Sequence, residues 1–506
     1  MKTIRNFVLL INALFFISTI LENLTYAQEG KLIRDTWTRS TMGEDEIGWT
    51  HEVVFEIVKE GRTQYKSKND VVMEFKRFGQ GVTISMESWA LENEEGSILE
   101  MHQKSMMSGQ ATLYDLVVEG EKACLTITTM GTPRKSEIDW NAETIGTMGI
   151  WKLRQKKGNV PGIEYSYKAF LFEYMQTVKM SIKLEDYEET ELLDNAKAKL
   201  FRAINTIDLL PGVNTIEWWS DDFITQKTSV KMMGLSMESF HTTKERAMKE
   251  GNSELKGDVI LETMAKSNIN IPVPYKLDSI LYRFIPKDPA IGLPKNMNRL
   301  NQKVLEQNEK EAIVRISAVV PESAQSFPIR NPPPELMEYL EANAYIQCDH
   351  PPLQQKALDI VKDAKDAWQA ACLLENFVFT YIKDKNFGTG FASAAEVFEN
   401  PCGDCSEHGV LLVAMCRAVG IPSRVAMGYM YLGGIFGGHM WAEVWMEGKW
   451  YPIDGVMGIG RVDPTHITFT DTSLHNGGLS QAFASAITGL GNIELQIIEF
   501  TRGDHT

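Results

Sequence analysis

Cysteine is scarce in this chain. Its 506 residues include six, Cys124, Cys348, Cys372, Cys402, Cys405 and Cys416, too few to staple a scaffold of this length, so any thiol chemistry is local. Positive charge is in deficit as well: 51 Lys and Arg face 67 Asp and Glu, a net charge of −16. That balance excludes the usual nucleic-acid partner, whose phosphates need a cationic face. Beyond the N-terminus no apolar run reaches the ~20 residues of a membrane-spanning helix. C-x-x-C occurs at Cys402 and Cys405, but no second C-x-x-C or H-x-x-x-H completes a four-ligand metal site. Compositional bias is missing too. At 43% hydrophobic and 23% charged residues the chain is ordinary globular protein, long enough for several domains.

The N-terminus has the pattern of an export signal. Lys2 and Arg5 precede the apolar stretch Phe7–Leu21, which is short for a membrane span, and Ala27 offers a small residue for cleavage before Gln28. No Cys follows that position, so a lipid anchor is not indicated. The expectation is a signal peptide over residues 1–27 and a secreted or periplasmic protein without a stable membrane span.

From about Arg34 to Met237 β-rich runs alternate with turns such as "EGR", "FGQG" and "NEEGS", the texture of an antiparallel sheet or sandwich. Residues 28–251 are therefore expected as a β-rich N-terminal domain, closed by a short helix near "TTKERAMKEG". Residues 252–334 read as a connecting β region with a Pro-rich linker. "SILYRFI" and "EAIVRISAVVP" are its strands, around a polar insert. A helical texture follows in 335–475, and 476–506 is taken as a C-terminal tail. Asp349 is expected to cap the first helix, and Trp368, Cys372 and Phe379 on the next are expected in the core.

"NPCGDCSEHGVLLVAMCRAVGIPSRV" holds the reactive candidate. The segment from Cys405 to Val419 is apolar on nearly every side, as a buried helix is, with Gly420 and Pro422 closing it. Cys405 falls at its first turn, where free N–H groups and the helix dipole favour a thiolate. Cys416, mid-helix, is packing. Next come a strand, "SRVAMGYMY", the glycine-rich "LGGIFGG", and "HMWAEVWMEGKWYPIDG", which reads as a hairpin turning at Glu447-Gly448. That register opposes Met446 to Lys449 and Trp445 to Trp450, and places His439 and Asp454 as diagonal neighbours on one sheet face. A slip of one residue would separate them. A helix-terminal Cys, a strand His to take its proton and a carboxylate to orient that His make a nucleophilic set.

These motifs together resemble the transglutaminase-like superfamily. The resemblance runs from about Glu335 to Leu474 and rests on "GDCSEHGVLLVAMCRAVGIPSRVAMGYMY" followed by "GGHMWAEVWMEGKWYPIDG". It implies an α+β chain whose C-terminal core is papain-like, a buried Cys helix packed on an antiparallel sheet, preceded here by a large antiparallel β-rich region. It implies Cys405 as nucleophile, His439 as base and Asp454 as orienting acid. The substrate implied is a protein or peptide carboxamide or peptide bond, opened through a Cys405 thioester, with hydrolysis expected over amine transfer. The Cys405 backbone N–H would serve an oxyanion hole, helped by a group within "NFGTGFASAAEVF". No metal or organic cofactor is expected, and no acidic loop suggests calcium.

Other readings stand beside this one. Cys402 is not required by the resemblance, which leaves a C-x-x-C redox pair or a regulatory Cys402–Cys405 disulfide open. A catalytically silent binding or scaffold protein would keep the same fold. His408, on a similar helix face to Cys405, is either a competing base or a helix residue bonded to the neighbouring turn. His466 either approaches the site or is structural. Glu443 is a substrate contact or a solvated strand residue. "LGGIFGG" is a mobile lid or a long hairpin connection, and Trp441, Trp445 and Trp450 line a cleft or fill the core.

Overall fold

The structure is a computed structural model of the chain. It describes residues 29–503 except 108–109, 233, 250–256, 323–324, 330, 388–390, 476–481, 483–485 and 487–488. The expected signal peptide, its cleavage point and Gly251 lie outside the described residues.

The fold is α+β. Fourteen strands form one antiparallel sheet. Eight run as a meander: β1 (Lys31–Met42), β2 (Asp45–Lys59), β3 (Arg62–Arg77), β4 (Gln80–Glu92), β5 (Ile98–Met107), β6 (Gln110–Glu119), β7 (Lys122–Thr129) and β8 (Thr132–Asp139). After helix α1 (Thr147–Lys157), a second meander follows: β9 (Glu164–Leu171), β10 (Gln176–Glu191), β11 (Lys197–Ile207), β12 (Asn214–Trp219), β13 (Thr225–Met232) and β14 (Leu235–Thr242). The meanders join where β14 pairs with β1, Trp37 opposite Thr242. Short turns link the strands, and the tip between β3 and β4, Phe78-Gly79, has positive φ at both residues, 48° and 77°. Two such residues make a turn whose twist suits a tight hairpin.

The rest of the chain stacks in three layers. Four helices, α2 (Pro351–Val361), α3 (Ala367–Tyr381), α4 (Ala394–Glu399) and α5 (Cys405–Ala418), form one. The middle layer is a sheet of β15 (Ala265–Lys266), β19 (Ser423–Leu432), β20 (Ile435–Met446), β21 (Lys449–Ile453) and β22 (Ile467–Thr472). The third is a sheet of β16 (Leu277–Pro286), β17 (Gln302–Gln307), β18 (Ala312–Ser317) and β23 (Ile493–Arg502). One apolar core joins α5 to Val425, Met440, Ala442 and Val444 of the middle sheet. A second joins Tyr429, Phe436 and Ile467 of that sheet to Ile280, Tyr282 and Val314 of the third layer. Covered on both faces, β19 is a near-continuous apolar run rather than an alternating one. Every residue of α5 from Glu407 to Arg417 is buried, and each enclosed Val, Leu or Met there stabilises by about 1.5–3 kcal/mol.

Two sequence expectations are corrected here. The N-cap of α2 is His350, with Pro351 and Pro352 opening the helix; Pro suits a first turn whose N–H groups have no intrahelical partner. Asp349 instead pairs with Arg134 of the N-terminal sheet at 2.7 Å. "LGGIFGG" is neither lid nor long connection. Only Gly433 and Gly434 turn, with φ of 58° and 105°, and Ile435 onward is already β20.

Candidate active site

Cys405 is the first residue of α5, and a tight local construction puts it there. Gly403 has φ of 136°, and a Cβ at that position would lie 2.4 Å from the Glu407 side chain, so only glycine fits. Asp404 is the N-cap: its Oδ1 accepts the Ser406 N–H at 2.9 Å, while Glu407 Oε2 accepts the Asp404 N–H at 2.8 Å. This reciprocal capping box satisfies N–H groups that the first helical turn leaves open. Glu407 also accepts the Ala392 N–H at 3.0 Å through Oε1, tying the preceding loop to the helix.

The hairpin register follows the sequence expectation. Met446 opposes Lys449, Trp445 opposes Trp450, and Glu447 and Gly448 turn with φ of 51° and 80°. β21 ends at Ile453, opposite Ala442, and Asp454 comes next. His439 Nε2 lies 2.9 Å from Asp454 Oδ2, both side chains almost fully enclosed. On that edge of β20 the described strands leave a gap: β21 pairs residues 442–446 and β15 pairs 435–436. Cys405 enters this gap, and the Met440 N–H, one residue beyond His439, donates to its sulfur. On the opposite edge His439 faces Gly428, where a Cβ would sit 1.7 Å from the Ile467 carbonyl oxygen. Gly428 is thus the residue that lets β22 close against β19 beside the site.

The electrostatics depart from one expectation. Burial pushes the Cys405 thiol well above its ordinary pKa, and the Asp404 carboxylate adds to that, against the Met440 N–H. Burial and Asp404 therefore work against the thiolate that the helix start favours. Burial also opposes ionisation of Asp454, but its charge and hydrogen-bond contacts with His439 and His466 prevail and hold it far below the usual carboxylate range.

Three supporting residues were invisible or undervalued in the sequence. His466 Nε2 is 3.2 Å from Asp454 Oδ2, and its Nδ1 is 3.5 Å from Asp463 Oδ1. Burial disfavours its charge, yet the two carboxylates push its pKa up to about 9. Glu375 of α3 accepts the Asp454 N–H at 3.1 Å and the Gly460 N–H at 2.7 Å, and burial lifts its pKa to about 7. Arg417 ties α5 to the start of β19 through the Ser423 carbonyl at 2.8 Å and to the end of β22 through the Ser473 carbonyl at 2.9 Å. No local signal marks Glu375, whose partners Asp454 and Gly460 are far off in sequence, or the tie from Arg417 to the distant Ser473. The "DPTHITF" His was at least a candidate.

The remaining candidates resolve as follows. His408 Nδ1 bonds the Asp404 carbonyl at 2.7 Å, inside its own helix turn, and burial lowers its pKa. Glu443 is not solvated: it is buried and pairs with Arg424 at 2.6 Å. Trp441 is buried, stacked on His439 at 5.9 Å and edge-on to His466 at 5.3 Å. Trp450 packs against Tyr339 and under Arg424. Phe379 is 38% exposed rather than core. Cys402 and Cys405 are both free thiols. His439, Asp454 and His466 place three donor atoms within 4.8 Å of one another, but the hydrogen bonds just described already satisfy that arrangement. No helix of the described residues is long and apolar enough to cross a membrane.

Residues 354–455 match the family model of the transglutaminase-like superfamily. No curated protein matches the chain. Among solved structures, similarity extends to a candidate cysteine protease from Cytophaga hutchinsonii (16% identity, 45% of this chain and 90% of that one, TM-score 0.30). It extends also to the periplasmic domain of TgpA from Pseudomonas aeruginosa bound to ethylmercury (15% identity, 39% and 89%, TM-score 0.25). A β-barrel-like protein of unknown function from Brucella abortus is similar too (11% identity, 42% and 97%, TM-score 0.32). Scores this low leave the site's own geometry as the ground for a functional reading.

Proposed function

With a transglutaminase-like segment at residues 354–455, we propose that this protein is an exported cysteine enzyme that opens carboxamide or peptide bonds of protein substrates through a Cys405 thioester. The observation that carries the reading is the buried His439–Asp454 hydrogen bond of 2.9 Å beside the strand gap that receives Cys405. Because His439 uses Nε2 toward Asp454, its Nδ1 is the atom left for the thiol proton. As the sulfur attacks the substrate carbonyl carbon, Nδ1 takes the S–H proton. The carbon–nitrogen bond then breaks and His439 returns the proton to the leaving amine. Water, deprotonated by the same nitrogen, next attacks the thioester, releasing a carboxylic acid and restoring the thiol. Ionised Asp454 holds the ring orientation and stabilises the imidazolium. Water needs no groove of its own, so hydrolysis asks least of the site.

The test uses general probes on reduced full-length protein: fluorescently labelled casein for hydrolysis, and dimethylcasein with dansylcadaverine for amine transfer. Intact-mass analysis after acid quench reads the acyl adduct. Casein turnover with a Cys405-linked adduct, absent in Cys405→Ala and strongly reduced in His439→Ala, is expected. Turnover that survives Cys405→Ala would refute the nucleophile, and dansyl incorporation without hydrolysis would refute water as acceptor. Export is checked by N-terminal sequencing of the mature chain, expected to start at Gln28.

A further inference from the structure

The nucleophile's helix is completed by a residue 327 positions upstream. Arg77, at the end of β3, donates from Nη2 to Asp404 Oδ2 at 2.8 Å. Asp404 is nearly fully enclosed, its side chain 2% exposed, while Arg77 keeps 22%. The hairpin tip carrying Arg77 is clamped on the same spot. The Phe78 ring lies 4.4 Å from Phe387, and Gln80 Oε1 accepts the Phe387 N–H at 2.8 Å. The tip therefore docks on the loop before α4 and on the cap of α5 together. A further contact, Tyr114 to Tyr345 at 3.1 Å, fastens the sheet elsewhere.

The groups facing the Cys405 sulfur explain why this matters. From its own helix and cap come Asp404 and Glu407; β20 supplies the Met440 N–H; β3 supplies Arg77. His408, also on α5, turns its Nδ1 to the Asp404 carbonyl. Burial and the neighbouring Asp404 carboxylate raise the pKa of Glu407. Arg77 is the cation bound to the Asp404 carboxylate beside the sulfur.

We propose that Arg77, contributed by the N-terminal sheet, is a positioning residue of the cysteine site: it holds the Asp404 carboxylate and offsets the negative charge beside the Cys405 sulfur. The inference rests on the cysteine chemistry proposed above and deepens it. The β-rich region becomes part of the reactive centre, since the seated β3–β4 tip brings the cation that pairs with Asp404 Oδ2, the carboxylate oxygen not bonded to the Ser406 N–H. A buried charge deprived of its partner is costly, so the contact couples docking of the sheet to sulfur reactivity.

The test is the pH dependence of iodoacetamide labelling at Cys405, read by peptide mass spectrometry on reduced full-length protein. Arg77→Met is expected to move the labelling midpoint to higher pH and to slow labelling at pH 7 about tenfold, the equivalent of one pH unit. Arg77→Lys restores most of the rate. Arg77→Gln, which can still donate a hydrogen bond but carries no charge, does not. Asp404→Asn removes the dependence, so that Arg77→Met adds nothing to it. A midpoint unchanged in Arg77→Gln, or full rescue by Gln, overturns the charge role. A uniformly lower rate with an unmoved midpoint overturns it too, since that marks a purely structural contact. If Arg77→Met does not fold, the Lys and Gln pair decides. His439→Ala in the same series separates the two readings. A midpoint that follows His439 but not Arg77 defeats only this inference, and one that follows Arg77 but not His439 defeats only the proposed base.

Discussion

His466 makes a sharp prediction about pH and stability. It is fully buried between Asp454 and Asp463, and its pKa rises to about 9 from an ordinary 6.5. A proton held more tightly in the folded chain stabilises it below pH 6.5, and that contribution fades as pH climbs to about 9. At ~1.4 kcal/mol per pH unit the full span is worth about 3 kcal/mol. Asp454 has the opposite dependence. Held below its normal range, it stabilises above about pH 4 and loses that contribution in acid. The plateau therefore lies between about pH 4 and 6.5. The perturbation is His466→Gln, which has no proton to lose. Urea unfolding of wild type and variant at pH 6 and pH 10, followed by tryptophan fluorescence, supplies the assay. The Trp441 ring, 5.3 Å from His466, reports locally. The stability gap between the two proteins should shrink by about 3 kcal/mol from pH 6 to pH 10. An identical gap at both values would refute a charged His466 and with it the electrostatic account of Asp454.

Further expectations are equally direct. Gly403→Ala forces a Cβ to within 2.4 Å of the buried Glu407 side chain at a positive φ, and should cost about 2 kcal/mol in a thermal melt. Gly428→Ala meets the Ile467 carbonyl oxygen at 1.7 Å and should cost about 3 kcal/mol or leave the chain insoluble, read by denaturant titration. Arg424→Met strands the enclosed Glu443 carboxylate and should cost about 3–5 kcal/mol, whereas Arg424→Met with Glu443→Leu should recover much of it in the same titration. Cys402→Ser should leave Cys405 labelling unchanged in reductant, since the Cys402 sulfur faces Asn400 Nδ2 at 3.4 Å.

How far the sequence reaches depends on the range of the interactions. The Glu447-Gly448 turn was legible because a hairpin register is set by adjacent residues, and the pairing of Trp445 with Trp450 follows from it. The start of α5 at Cys405 was legible through the apolar run that begins there, and the cap that fixes it, Asp404, is local. Where sequence reasoning went wrong, a distant partner decided. Asp349 looked like a cap until Arg134 of another sheet claimed it, and Glu443 looked solvated because Arg424 stands on a different strand.

The sequence by itself determined the short-range geometry around each candidate residue: a cysteine opening a buried helix, and a histidine and an aspartate brought together by one tight turn. Periodicity and turn chemistry act over a few residues, so they can be read along the chain. Tertiary structure alone decided the state of those groups. Whether the sulfur rests as thiol or thiolate depends on its burial, on Asp404 and on Arg77 arriving from β3. The charge and orientation of Asp454 depend on His466 and Glu375, held by other elements. Desolvation and Coulomb interactions act through space rather than along the chain, and only the folded molecule sets those distances.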